Sequence, residues 1–82
     1  MYILKSLKDG DLYFGYTSDL KKRFEEHNLG MSKSTKSRMP FSLVYYEAYA
    51  SRQDAMDREN NLKLRAKALR LLKNRIKRSL EA

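Results

Sequence analysis

Along this chain short, mostly apolar runs bounded by turn residues give way to a helical period, and that change sets the layout. Tyr2–Leu7 and Leu12–Thr17 are rich in aromatic and branched aliphatic residues and read as strands. Between them, Lys8-Asp9-Gly10-Asp11 holds an Asp-Gly pair, which suits a two-residue type I′ turn because both of its central residues need positive φ. With Asp9-Gly10 as that turn, Lys8 faces Asp11, Leu7 faces Leu12, Ser6 faces Tyr13, Leu4 faces Gly15 and Tyr2 faces Thr17. Opposed residues share a side of the sheet, so Tyr2, Leu4, Tyr13, Gly15 and Thr17 are expected on one face. Gly15, having no side chain, would leave an open floor between the two tyrosines.

After Thr17 the period lengthens. Ser18 can cap a helix that starts at Asp19, whose carboxylate suits the positive end of the dipole, and Gly30 is a natural stop. On this helix Leu20, Phe24 and His27 share one stripe, with Arg23 beside it. Residues 28–40 form a polar loop that is long for a connector. Phe41–Ala50 reads as a third strand, apolar on both faces as a central strand would be. Ser51-Arg52-Gln53-Asp54 resembles a capping box, so a helix should start at Arg52, with Ala55, Glu59 and Leu62 on its inner stripe. A carboxylate there needs a cation, hydrogen bonds or a wet cleft beside it. Lys63–Leu80 is helical in pattern, with Leu69, Leu72, Ile76 and Leu80 as its stripe, and a fold-back near residues 64–67 would cover that stripe. The expected architecture is α/β: a small three-stranded, mainly antiparallel sheet flanked by helices in the order β-β-α-β-α-α. It forms one domain over residues 1–82, of which 64–82 are a basic C-terminal helix.

Composition narrows the function classes. The 82 residues include no cysteine, which excludes a disulfide framework or a thiolate metal site. The start carries no basic-then-apolar leader, and no apolar run approaches the ~20 residues that span a bilayer, so a cytoplasmic protein without a membrane segment is expected. The net charge of +8 is uneven, because residues 1–62 hold ten Lys/Arg against nine Asp/Glu. The excess lies in the tail, where Lys67, Arg70, Lys73 and Lys77 point to an anionic partner. Lys33, Lys36 and Arg38 lie among hydroxyl residues in the polar loop, as phosphate contacts would, although a solvated basic loop has the same pattern.

The order Tyr2 … Tyr13-Phe14-Gly15 … Asp19-Leu20-Lys21-Lys22-Arg23 … His27-Asn28 … Glu59-Asn60-Asn61-Leu62-Lys63 resembles the GIY-YIG nuclease superfamily. It is most similar to the small single-domain bacterial members and to the N-terminal nuclease domain of the excinuclease C subunit. The resemblance covers residues 1 to about 65. Tyr2 would end the first motif, Tyr13 and Gly15 would bound the second, Arg23 and His27 would be the helix pair, and Glu59 the metal-binding glutamate. Three departures stand out. Only Met1 precedes Tyr2, Phe14 fills the middle of the second motif, and Tyr16 replaces a lysine of the excinuclease domain.

The resemblance implies hydrolysis of phosphodiester bonds in nucleic acid, DNA in the first instance, with one Mg²⁺ or Mn²⁺ ion. Glu59 is a hard oxygen ligand suited to such an ion, and Arg23 can clamp phosphate oxygens. Tyr13 is expected as general base with His27 as its proton acceptor or orienter, and Tyr2 as the group that orients water or phosphate. Gly15 and Thr17 on the cleft floor, Lys33, Lys36 and Arg38 in the loop, and Lys67, Arg70, Lys73 and Lys77 in the tail are the expected nucleic-acid contacts. The competing reading is a nucleic-acid-binding module without catalysis.

Overall fold

The computed structural model describes residues 1–82. Strands β1 (Tyr2–Ser6), β2 (Leu12–Gly15) and β3 (Phe41–Tyr46) pair antiparallel in the spatial order β2-β1-β3. Helix α1 (Leu20–Asn28) follows β2, while α2 (Arg52–Leu64), α3 (Ala66–Arg75) and α4 (Lys77–Glu81) follow β3. A short 3₁₀ turn at Lys36–Arg38 lies within the long loop. The middle strand is β1, not β3 as its two-sided apolar pattern suggested. Ile3 and Leu4 of β1 have no exposed surface, whereas Tyr46 at the end of β3 is 59% exposed. Full burial of an aliphatic side chain is worth about 1.5–3 kcal/mol, so Ile3 and Leu4 favour the centre.

The hairpin register departs from the sequence expectation by two residues. Tyr2 opposes Gly15, Ile3 opposes Phe14, Leu4 opposes Tyr13 and Lys5 opposes Leu12. A type I′ turn at Asp9-Gly10 would need positive φ at both residues, and only Gly10, at φ 77°, adopts it. Instead Leu7–Gly10 form a longer loop between Ser6 and Asp11, closed by Ser6 N–H donating to Asp11 O at 2.9 Å. Ser6 Oγ accepts from the amides of Lys8 and Asp9, and Asp9 Oδ1 accepts from the Asp11 amide. These side chains satisfy turn amides without forcing Asp9 into left-handed backbone. Because the shift is even, Tyr2, Leu4, Tyr13 and Gly15 keep their common face. Strand β2 stops at Gly15, short of the expected Thr17, and β3 stops at Tyr46, short of Ala50.

The sheet divides two cores. On one face Met1, Ile3, Leu12, Phe14, Val44 and Tyr45 pack against Leu62 of α2, Ala68 and Leu72 of α3, Ile76 and Leu80. On the other, Tyr2, Leu4, Tyr13, Phe41 and Leu43 pack against Leu20 and Phe24 of α1. Ile3 opposes Tyr45 but Leu4 opposes Leu43, so Val44 is the extra residue of a bulge. That bulge lets Val44 and Tyr45 serve one core and brings Tyr46 opposite Tyr2. The fold-back expected near residues 64–67 falls at Arg65, whose extended backbone (φ −122°, ψ 102°) separates α2 from α3, and a second break at Ile76 starts α4. No helix is long and apolar enough to cross a membrane.

Candidate active site

Helix α1 sets the centre of the site. Its cap is Asp19, one residue beyond the expected Ser18, and the Asp19 carboxylate accepts the Lys22 amide at 3.1 Å. Gly30, at φ 74°, ends the helix region as expected. From the inner face of α1, His27 is completely buried with both ring nitrogens engaged. Nε2 lies 2.9 Å from the Tyr2 hydroxyl and Nδ1 lies 2.7 Å from the Thr35 hydroxyl, which is itself completely buried. Tyr2, Tyr13 and Phe41 surround the imidazole with ring centroids at 5.9, 5.1 and 5.9 Å.

The electrostatics give this chain a direction. Burial pushes the Tyr2 hydroxyl above the usual tyrosine pKa, against the neighbouring Arg23 guanidinium, which favours the phenolate. Burial also holds His27 below the usual histidine value, and the charge of Arg23 adds to that. Tyr2 therefore rests protonated and His27 neutral. A neutral imidazole has one donor and one acceptor nitrogen. With a cation beside the Tyr2 oxygen, the favoured arrangement has Tyr2 O–H donating to Nε2 and Nδ1–H donating to Thr35 Oγ1. Arg23 donates to Glu26 and to Ser32 Oγ, each at 3.4 Å, long contacts that an incoming phosphate can replace.

Tyr13 shares the face, its ring centroid 6.4 Å from that of Tyr2, but its hydroxyl makes no hydrogen bond within the chain. The expected link from Tyr13 to His27 is thus a ring contact, and the hydrogen bond goes to Tyr2, whose ring meets the imidazole edge-on from the central strand. Gly15 also has a different task from the expected open floor. A Cβ there would lie 2.5 Å from the Tyr2 hydroxyl oxygen and 2.6 Å from Cζ. The space above Gly15 is filled by the Tyr2 ring itself.

Glu59 is 9% exposed on the inner stripe of α2, as expected, and its one close partner is Lys63 Nζ at 2.5 Å. It makes no ion pair with Arg23, and its charge reaches the Tyr2 hydroxyl as a minor effect that favours the neutral phenol. No cluster of three or more His, Cys, Asp or Glu side chains is present that could cage a metal. One hard carboxylate, with a lysine exposed enough to swing away, fits a Mg²⁺ or Mn²⁺ ion that keeps most of its waters and takes a substrate phosphate.

The remaining expected residues separate by location. Lys33 and Lys36 are exposed and unpaired in the loop that carries Thr35. Arg38 is committed elsewhere: its Nε donates to Asp9 at 2.8 Å and its guanidinium lies over the Phe41 ring. The Thr17 hydroxyl exchanges hydrogen bonds with the Asp19 backbone. Lys67, Arg70, Lys73 and Lys77 are exposed and unpaired, but they belong to the helices that cover the face opposite His27. Three participants escaped the sequence reading. Thr35 looked like one more hydroxyl of a polar loop. Asn28 clamps α1 to β3, donating to Phe41 O at 3.0 Å and accepting from Phe41 N at 2.6 Å. Lys63 as the Glu59 partner was visible only as i,i+4 spacing.

A small antiparallel sheet thus brings a tyrosine, an arginine and a histidine together on one face, with a buried glutamate on α2. Residues 1–77 match the GIY-YIG catalytic domain, and the chain belongs to that family. Over 78 residues it is 46% identical to UPF0213 proteins of Staphylococcus aureus strains Mu50, N315 and COL, covering 92% of this chain and 94% of each relative. No solved structure matches it.

Proposed function

We propose that this protein is a metal-dependent endonuclease that hydrolyses phosphodiester bonds in DNA inside the cell. The observation that carries the reading is the hydrogen-bonded chain Tyr2–His27–Thr35 with Arg23 beside its open end. A purely structural histidine needs no phenol at one nitrogen with a cation beside that phenol's oxygen. Arg23 exchanges its long contacts for the non-bridging oxygens of a phosphate. Tyr2 takes a proton from the attacking water as its own proton passes to His27 Nε2, leaving an imidazolium whose Nδ1–H stays on Thr35. The proton thus moves from water to histidine without a free phenolate. This exchanges the roles expected for the two tyrosines, and Tyr13, with its unengaged hydroxyl, orients the water or the phosphate. Glu59, released from Lys63, would hold a Mg²⁺ or Mn²⁺ ion, which when bound supplies positive charge to the phosphoryl and leaving oxygens. Lys33 and Lys36 extend the phosphate track along the loop.

Glu59→Gln tests the assignment. The amide keeps the shape and removes the charge, so metal-dependent cleavage of plasmid and branched DNA should vanish while DNA binding and the thermal melt stay near wild type. Undiminished cleavage by the variant overturns the metal assignment. Binding by the wild-type protein with no cleavage of any substrate, in either ion, would favour the non-catalytic module.

A further inference from the structure

Beside the catalytic face, where the β2–α1 and β3–α2 connections meet at the end of the sheet, lies a cleft of about 810 Å³. We propose that this cleft binds the base of an unpaired nucleotide adjacent to the phosphate held at Tyr2 and Arg23, so that the protein selects nucleic acid with a splayed or single-stranded segment. The inference rests on the nuclease reading for the position of the phosphate, and on the cleft for everything else.

The lining is aromatic where a flat ligand would lie. Tyr16 from the first connection, Tyr46 from the end of β3 and Tyr49 from the second connection all contribute, and Tyr2 lines both the cleft and the catalytic face. The Arg52 guanidinium lies 5.7 Å from the Tyr16 ring centroid, adding a cation to the same wall. The volume is that of a small-ligand site. Tyr46 is present because of the bulge at Val44. Leu43 and Tyr46 are three positions apart and would face opposite ways in a regular strand, whereas the extra residue sets Tyr46 opposite Tyr2. The acid nearest the cleft is neutralised by its neighbours. The Glu47 carboxylate accepts from Tyr49, from Tyr45 at 2.6 Å and from Arg58 at 3.0 Å, so it offers little repulsion to a phosphate. Tyr46 at 59% and Tyr49 at 41% exposed are large rings left uncovered.

A base has two flat faces, and in a duplex both are covered by its neighbours. Only an unpaired base can offer a face to these tyrosines, so stacking converts the cleft into a reader of strand structure, tolerant of sequence. An aliphatic peptide would find Leu20 as the one branched aliphatic side chain in the lining.

The test is binding without divalent cation, using oligonucleotides that carry 2-aminopurine at the first unpaired position of a splayed fork, against a blunt duplex of the same sequence. Wild-type protein should quench the probe and prefer the fork. Tyr16→Leu combined with Tyr46→Leu should lose the quench and about tenfold or more in fork affinity, with duplex affinity unchanged. Tyr46→Phe keeps the ring and should keep the quench, which separates stacking from damage to the fold. Equal loss on fork and duplex, or quenching retained in the double leucine variant, overturns the proposal. A quench by wild type without any cleavage under Mg²⁺ or Mn²⁺ leaves the base site standing and sinks the nuclease reading. Cleavage without fork preference does the reverse.

Discussion

At the residue scale, two hydroxyls of the same type have different work because one ring nitrogen reaches only one of them. Tyr2 and His27 act as a unit in the proposed relay, so their losses should not multiply. Tyr2→Phe should slow the chemical step by ~10²–10⁴-fold, and adding His27→Gln should cost little more. Tyr13→Phe, outside the relay, should multiply with either. Single-turnover rates of the single and double variants decide it, and a multiplicative Tyr2/His27 pair would overturn the relay. His27 also leaves a mark on stability. Its folded pKa is depressed below the ordinary 6.5, first by burial and then by Arg23. The unfolded chain therefore binds the proton first as pH falls. The His27 contribution should be complete above pH 6.5 and lost as pH drops toward the lower folded value. Thermal melts from about pH 7.5 to pH 5 should show this loss, with a flatter profile in His27→Gln. Equal slopes in the two proteins would contradict it.

At the element scale, the end row of the sheet is built around one missing side chain. Gly15, Tyr2 and Tyr46 lie across from one another, and Tyr2 can lie flat on β2 only because Gly15 has no Cβ. Gly15→Ala should drive the Tyr2 ring away from His27, costing about 1–3 kcal/mol of overpacking and most of the activity with every polar site residue still present. Gly10→Ala is the matched control. Nothing lies within 4 Å of a Cβ there, so its cost comes from the positive φ alone and activity should survive. Full activity in Gly15→Ala would show that the tyrosine does not depend on that row.

At the scale of the whole molecule, the basic tail and the Tyr2–His27 face lie on opposite sides of the sheet, and Glu59 is carried by α2, whose Leu62 packs in the core on the tail's side. The domain measures 30 × 28 × 19 Å, with His27 under α1 and the basic residues of α3 and α4 over the other face. One nucleic acid reaches both only by passing the edge of the sheet. If it does, neutralising Lys67, Arg70, Lys73 and Lys77 should flatten the salt dependence of binding by about one slope unit per lost phosphate contact. An unchanged slope would leave Lys33 and Lys36, in the loop that carries Thr35, as the source of the affinity.

Local rules sufficed for much of this chain. Ser51 caps α2 where the capping pattern places it, Ala55, Glu59 and Leu62 form its buried stripe, and Leu20, Phe24 and His27 face the sheet because a period of 3.6 leaves them no other side. The common face of Tyr2, Tyr13 and Gly15 survived an error of two residues in the turn, since side chains repeat every second position. Tertiary structure decided what depends on distant partners. Residues from the far loop helped set the turn: Arg38 holds Asp9, and Ser6 Oγ donates to Arg38 O at 2.5 Å. Which strand lies in the middle followed from pairing with β3, forty residues downstream, and the bulge that turns Tyr46 toward Tyr2 exists only in that pairing. The choice of Tyr2 over Tyr13 as the hydrogen-bond partner of His27 was settled by how the hydroxyls are aimed in the packed core, since the Tyr13 ring is the nearer of the two, and the burial of Thr35 by how the loop closes over α1. Periodicity fixes which face a residue takes, but contacts between residues far apart in sequence fix what it touches there.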